Sequence, residues 1–539
     1  MGEDEIMATS IKEKNKNNST SKESIKDSQH SAKQEANETS PLDDSSDWTF
    51  ELLDLYQQEI ARVAKHYRLD TYTNQIEVIT AEQMMDAYAS VGMPIGYSHW
   101  TFGKKFIQTE QNYKRGQMGL AYEIVINSSP CISYLMEENT MTMQALVMAH
   151  ACYGHNSFFK GNYLFKSWTD ASSIIDYLLF AKNYIADCEL KHGISEVEAT
   201  LDACHALMSH GVDRYKRPQK ISLDEELKRQ KEREEYLQSQ VNSLWRTVPK
   251  AEKSNTKQHY KFPAEPQENI LYFVEKNAPL LKPWQREIVR IVRKISQYFY
   301  PQKQTQVMNE GWACFWHYTI LNHLYDEGLV TDKFMIEFLH SHTNVVAQPE
   351  YNSPYYSGIN PYALGFNMFM DIRRICEEPT DEDKQYFPEI AGSDWLDTVH
   401  FAMENFKDES FISQYLSPKL IRDFKLFHIH DDSSNNFVEI GAIHNEQGYK
   451  KVRENLANQY NLSNLEVNIQ IIDANIEGDR ALTLRYTPHN NVALGDSKDE
   501  VLKHLHYLWQ FDVKIIQEDK DGIDQVIASC PVQEKKEKE

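Results

Sequence analysis

Apolar residues three and four apart dominate the chain from about residue 47 to 420, a spacing that predicts helices rather than strands. In DWTFELLDLYQQEIARVAKHY, Trp48, Leu52, Leu55, Ile60 and Val63 form the first such stripe. The clearest amphipathic stripe is PWQREIVRIVRKISQYFYP, with Trp284, Ile288, Ile291, Ile295 and Phe299 on one face. Punctuation supports the same reading. Asn139 or Thr140 can cap the run TMTMQALVMAHACYG, and Gly193 can close DASSIIDYLLFAKNYIADCELKH. Ser222 with Glu225 reads as a capping box for a charged helix over 223–246, and Asn360 with Pro361 as N-cap and first turn of PYALGFNMFMDIRRIC.

Two stretches break the helical period. In AYEIVINSSPCISYLMEEN (121–139), Tyr122, Ile124 and Ile126 alternate with Glu123, Val125 and Asn127 before SSP interrupts, which predicts a small β-element such as a hairpin. After about 420 the order becomes ββαββαβ, an α+β arrangement with an antiparallel sheet. Residues 1–46 are polar and charged and cannot bury enough surface to offset ordering entropy. The expected fold is therefore mainly α with a C-terminal α+β domain. Its parts are a disordered tail (1–46), a helical core (47–420), an α+β accessory domain (421–530) and a flexible tail (531–539).

Composition narrows the function. Of 539 residues 41% are apolar, with 30 Tyr and 23 Phe, ample for more than one core. A net charge of −23 argues against nucleic acid and against anionic membrane surfaces, since both need concentrated Lys and Arg. No apolar run approaches the ~20 residues of a spanning helix. The seven scattered cysteines form no Cys-x-x-Cys pair and suit reduced thiols of the cytoplasm.

The chemistry concentrates in MAHACYGHNSFF. His150 and His155 lie five apart, which on a regular helix leaves them about 140° from one another. A π-bulge at Gly154, or a helix ending there, would bring them together. In NEGWACFWH, Glu310, Cys314 and His317 share one helical face. The EGWA segment after an upstream His-bearing helix resembles the gluzincin layout, and so does a strand preceding that helix. The resemblance implies a zincin-like site of His150, His155 and Glu310 holding zinc, with His317 or His205 as spare ligand or supporting partner. Ala151 stands where HExxH would supply the general base, so Glu137, Glu138 or a tyrosine of YNSPYYSGINPY would have to replace it. The rival reading is that these histidines are simply satisfied in the core. His340 and His342 form a weaker metal pair. The tyrosine-rich loop either lines a pocket or packs as a rigid connection. Arg373 and Arg374 either clamp a carboxylate or pair with Asp371 and Glu377.

The stretches VMAHACYGHNSFFKGNYLF, DRYKRPQKIS, FYPQKQTQVMNEGWACFWHY, YNSPYYSGINPYALGFNMFMDIRR and HNEQGYKKVRENLANQYNL resemble the SpoVR family, named after stage V sporulation protein R, over about residues 47 to 530. The resemblance implies a cytoplasmic bacterial protein linked to spore-cortex formation or to stress physiology, often beside a PrkA-like serine kinase. It implies no particular reaction. Two functions remain: a metal-dependent hydrolase of amide-type bonds in a peptide or cell-wall precursor, or a non-enzymatic regulator working with that kinase pathway or with envelope enzymes.

Overall fold

The computed structural model describes residues 42, 46–89, 95–114, 123–215, 228, 232, 262–263, 265–350, 353–426, 428–430, 439–441, 445–489, 492–519 and 522–531. They form a mainly helical protein with a small C-terminal sheet domain. Two compact units emerge, each from two separate stretches of chain: 1–182 with 301–461, and 183–300 with 462–539. Most of the expected tail 1–46, the charged helix 223–246 apart from residues 228 and 232, and the tail 532–539 lie outside the described residues. Leu42 is an exception to the disorder expected of its stretch: its amide donates to Leu329 O at 2.8 Å and its side chain packs on the core.

In the first unit, Thr49 caps helix α1 (Phe50–His66), which buries Leu52, Leu53, Tyr56, Ile60 and Val63. Leu55, assigned to this face by the sequence, is 50% exposed. It sits about 110° round the helix from the centre of the buried face, and Leu53 and Tyr56 take the inward positions instead. Next come strand β1 (Asn74–Ile79) and the helices α2 (Ala81–Ala89) and α3 (Trp100–Lys114). Strands β2 (Glu123–Ile126) and β3 (Cys131–Met136) form the antiparallel hairpin that the alternation predicts, and β1 joins it parallel to β3. Residues opposite one another on paired strands share a face. Ile124 and Tyr134 therefore look toward Met84 and Met85 of α2, whereas Glu123 shares the other face with fully buried Leu135.

Thr140 caps α4 (Met141–Val147), which runs into a π-helical segment, Met148–His155, and then α5 (Asn156–Gly161). The centre of this unit is α6 (Gln306–Asp326), buried on nearly every side and carrying Trp312, Phe315 and Trp316. Around it lie α7 (Asp332–Val345), α8 (Pro361–Glu377, capped by Asn360 as expected) and α9 (Asp408–Tyr415). Two close approaches need glycine. A methyl at Gly154 would lie 2.6 Å from Ala313 Cα, and one at Gly311 would lie 2.3 Å from the Gly365 carbonyl carbon. These contacts draw the π segment and α8 against the part of α6 that carries Glu310.

The C-terminal strands differ in pairing from the single antiparallel sheet expected. β4 (His428–His430) and β5 (Glu439–Gly441) form their own two-stranded sheet within the first unit. In the second unit β6 (Ile469–Asp473), β7 (Leu482–Tyr486), β8 (Val513–Glu518) and β9 (Asp524–Cys530) line up in that order, with β7 and β8 parallel. The helix Lys498–Trp509 connects β7 to β8, and such a crossover returns the chain in the same direction, where a tight turn would reverse it. The last strand, β9, was not anticipated. Elsewhere in this unit Trp284, Ile288, Ile291 and Ile295 of the expected stripe are buried while Phe299 is only partly so, and Gly193 closes its helix at φ 89°. No helix among the described residues is long and apolar enough to cross a membrane.

Candidate metal centre

Hydrogen bonding from i to i+5 in a π-helix puts residues five apart on one face. The segment Met148–His155 adopts this form, so the continuing helix is not broken at Gly154. His150 and His155 then stand with ring centroids 4.6 Å apart, both nearly buried. Met148, Ala149, Ala151 and Cys152 pack into the core around them, which holds the irregular turn in place.

Two carboxylates face this pair. Glu310 projects from the second turn of α6, with Oε2 3.8 Å from His150 Nε2 and 3.5 Å from His155 Nε2. Glu123 projects from β2, with Oε1 3.1 Å from His150 Nε2 and 3.7 Å from His155 Nε2. A tetrahedral zinc site with bonds of about 2.0–2.1 Å spaces its ligand atoms about 3.3–3.4 Å apart. The observed separations bracket that edge. Glu123 Oε2 is buried with no hydrogen-bond partner among the described residues. An orphaned carboxylate oxygen at such a place fits a cluster that could hold a cation.

Glu123 is the member of this cluster that the sequence reading missed. Alternation assigned it to the polar side of a strand whose apolar side was Tyr122, Ile124 and Ile126. The available signal was Val125 beside it, which marks a strand covered on both faces.

Partners behind the imidazoles orient them. His155 Nδ1 lies 3.0 Å from Asn309 Oδ1, to which it donates, leaving Nε2 directed at the carboxylates. His150 Nδ1 lies 2.9 Å from His317 Nδ1, and His317 Nε2 lies 2.7 Å from His342 Nδ1. Burial pushes His150 and His342 down to about 4 and His317 well below its ordinary value, so all three are neutral at physiological pH. The two carboxyls diverge. Burial, then the charge of Glu310, raises Glu123 well above the usual carboxylate range. Burial also opposes ionisation of Glu310, but His155, His150 and the Tyr362 hydroxyl together bring it below its ordinary value.

The other sequence candidates fall elsewhere. Of the tyrosines in YNSPYYSGINPY, Tyr362 reaches the site, donating to Glu310. Glu138 instead accepts the amide of Ala81 at the start of α2, and Glu137 accepts the Trp48 indole through its backbone carbonyl. His205 belongs to the second unit, on the helix Ile194–Ala206. His340 is exposed and lies 3.3 Å from Asn344, while its neighbour His342 turns inward to His317. Arg373 pairs with Glu377, and Arg374 with Asp371 and Asp383. A second group, His150, Cys314 and His317, also has metal-ligand spacing. Burial and the charges of Glu310 and Glu123 drive the Cys314 thiol well above its ordinary value, and the two imidazoles already bond each other. The other group with such spacing among the described residues is Glu123, His150 and His155, whose imidazoles Glu310 also faces.

The model of the SpoVR like protein family matches residues 47–465, and that of the SpoVR-like C-terminal domain matches 467–520. The chain belongs to the SpoVR family. It is 71% identical over 495 residues to the uncharacterized protein YcgB of Escherichia coli strain K12, a match covering 92% of this chain and 97% of that protein. No solved structure matches it. All four residues of the candidate centre fall inside the region matched as SpoVR.

Proposed function

We propose that this SpoVR-family chain is a metal-dependent hydrolase of amide-type bonds. In this reading His150, His155 and Glu310 hold a divalent ion, with zinc the best match to two imidazoles and a carboxylate. Glu123 takes the general-base position that Ala151 leaves empty. The observation that carries the reading is the convergence of four groups from three elements, with four imidazole–carboxylate separations of 3.1–3.8 Å.

The division of labour follows from the electrostatics. Paired carboxyls whose surroundings push them apart take different roles. Glu310, held anionic, suits ligation; Glu123, raised by burial and by Glu310, suits taking a proton from water and returning it to a leaving amine. A bound divalent ion would supply Lewis-acid polarisation of the amide carbonyl and acidification of water. The carboxylate side chains are 17% and 19% exposed and the imidazoles 6% and 8%, so substrate approaches over the carboxylates. Peptides and cytoplasmic cell-wall precursors carry the bond this chemistry attacks.

Metal analysis of protein purified without a histidine tag tests the reading. Wild type and Glu123→Gln should each carry about one zinc, and His155→Ala and Glu310→Ala should carry none. Hydrolysis of peptide or cell-wall-precursor amides should be lost in all three variants. Wild-type protein that takes up no metal ends the hydrolase reading and favours a regulator acting with a PrkA-like kinase.

A further inference from the structure

A neutral imidazole has one N–H and one bare nitrogen, so a row of imidazoles bonded nitrogen to nitrogen has a direction. His150, His317 and His342 form such a row, with contacts of 2.9 and 2.7 Å. The row starts on the π segment, crosses α6 and ends on α7. His317 is fully committed, because both of its nitrogens are engaged. Only two arrangements of the protons satisfy both contacts. In one, His150 donates from Nδ1 to His317, His317 donates from Nε2 to His342, and His150 Nε2 is bare. In the other every bond is reversed, and His150 carries its proton on Nε2, facing Glu123.

We infer that His317 and His342 are positioning residues that select the His150 tautomer able to bind a metal through Nε2. The inference rests on the metal-centre reading above and extends it to two residues that touch neither carboxylate. His342 is the deciding member, because the ligating arrangement requires it to accept from His317 Nε2. It is nearly buried among the rings of Tyr318, Phe338 and Phe366. Without an acceptor there, a proton on His317 Nε2 would be stranded. His317 would then carry its proton on Nδ1 and donate to His150, forcing the His150 proton onto the nitrogen that should bind metal. Asn309 holds His155 from outside the row and is unaffected.

The test is zinc affinity, measured by competition against a chromophoric chelator, in the full-length chain. His342→Phe keeps a flat ring among the neighbouring aromatics but removes the acceptor, and affinity should fall about 10- to 100-fold, as for other partners of metal-bound histidine. His342→Gln restores a side-chain acceptor and should recover most of that loss. A role in packing alone predicts the opposite order, because Phe fills the aromatic pocket better than Gln. The inference is overturned if His342→Phe, folded by circular dichroism, binds zinc as tightly as wild type, or if His342→Gln binds no better than His342→Phe. Either result leaves the metal centre standing when wild type binds zinc and His155→Ala does not. A wild-type chain without affinity for zinc overturns both.

Discussion

Helix α6 carries Glu310 on its second turn, yet its own N-cap residue, Thr305, makes no capping bond to the helix amides. The cap comes from 100 residues away. Asp408 Oδ2 accepts the amide of Val307 and Oδ1 that of Met308, both at 2.9 Å, with the residue 1% exposed. Asp408→Ala would leave two buried amides without an acceptor at the positive end of the helix dipole. Each buried amide left without an acceptor costs about 1–3 kcal/mol, so the variant should lose roughly 2–6 kcal/mol. The first turn of α6 should fray, and zinc affinity should fall with it because Glu310 follows at once. Equilibrium urea unfolding followed by far-UV circular dichroism measures the loss. Burial pushes the Asp408 carboxyl up to about 7 against the pull of the backbone amides. A folded-state value above the unfolded one gives a contribution complete below about pH 4 and lost as pH rises through about 7. The gap between wild type and Asp408→Ala should therefore be wider at about pH 5 than at about pH 8. A variant within about 1 kcal/mol of wild type at both pH values refutes the remote cap.

Two further outcomes follow from packing within the same unit. Gly311→Ala drives a methyl to 2.3 Å from the Gly365 carbonyl carbon, so α6 and α8 must separate. The expected cost is about 1–3 kcal/mol with weaker zinc binding, and wild-type melting and zinc titration curves would show that the two helices are not so tightly apposed. Asp383, its side chain 4% exposed, receives Arg374 at 2.7 and 2.9 Å. Burial alone would raise its carboxyl, but Arg374 and Thr380 hold it down at about 2. Its contribution is present above about pH 4 and lost as pH falls toward 2. Asp383→Asn should cost about 2 kcal/mol at neutral pH and flatten the acid limb of the stability profile, and an unchanged acid limb would dismiss the pairing.

Local pattern carried much of the architecture. Helices with continuous apolar stripes, the caps at Thr140 and Asn360, the closing Gly193 and the β2–β3 hairpin follow from residues near one another in sequence, whose spacing already states what each backbone segment must do. The SpoVR motifs and the pair of histidines five apart were legible in the same way. What local pattern does not encode is pairing across long separations. Strand β1 finds β3 more than 50 residues later, β8 runs parallel to β7, and residues 183–300 group with 462–539.

The candidate centre divides along the same line. Histidine spacing at 150 and 155 named two of its members, and the EGWA segment named Glu310. Only the folded chain decided that Glu123 joins them, because a strand residue's face is set by what covers each side of the sheet. Folding also decided that His317 stands behind His150 and that His342 ends the row, since hydrogen bonds between buried side chains depend on how helices cross. Sequence fixes the chemical groups and the local turn that displays them. The distances of 3.1–3.8 Å between those groups depend on contacts such as that of Gly154 with Ala313, which brings the π segment against α6 and exists only once the core has packed.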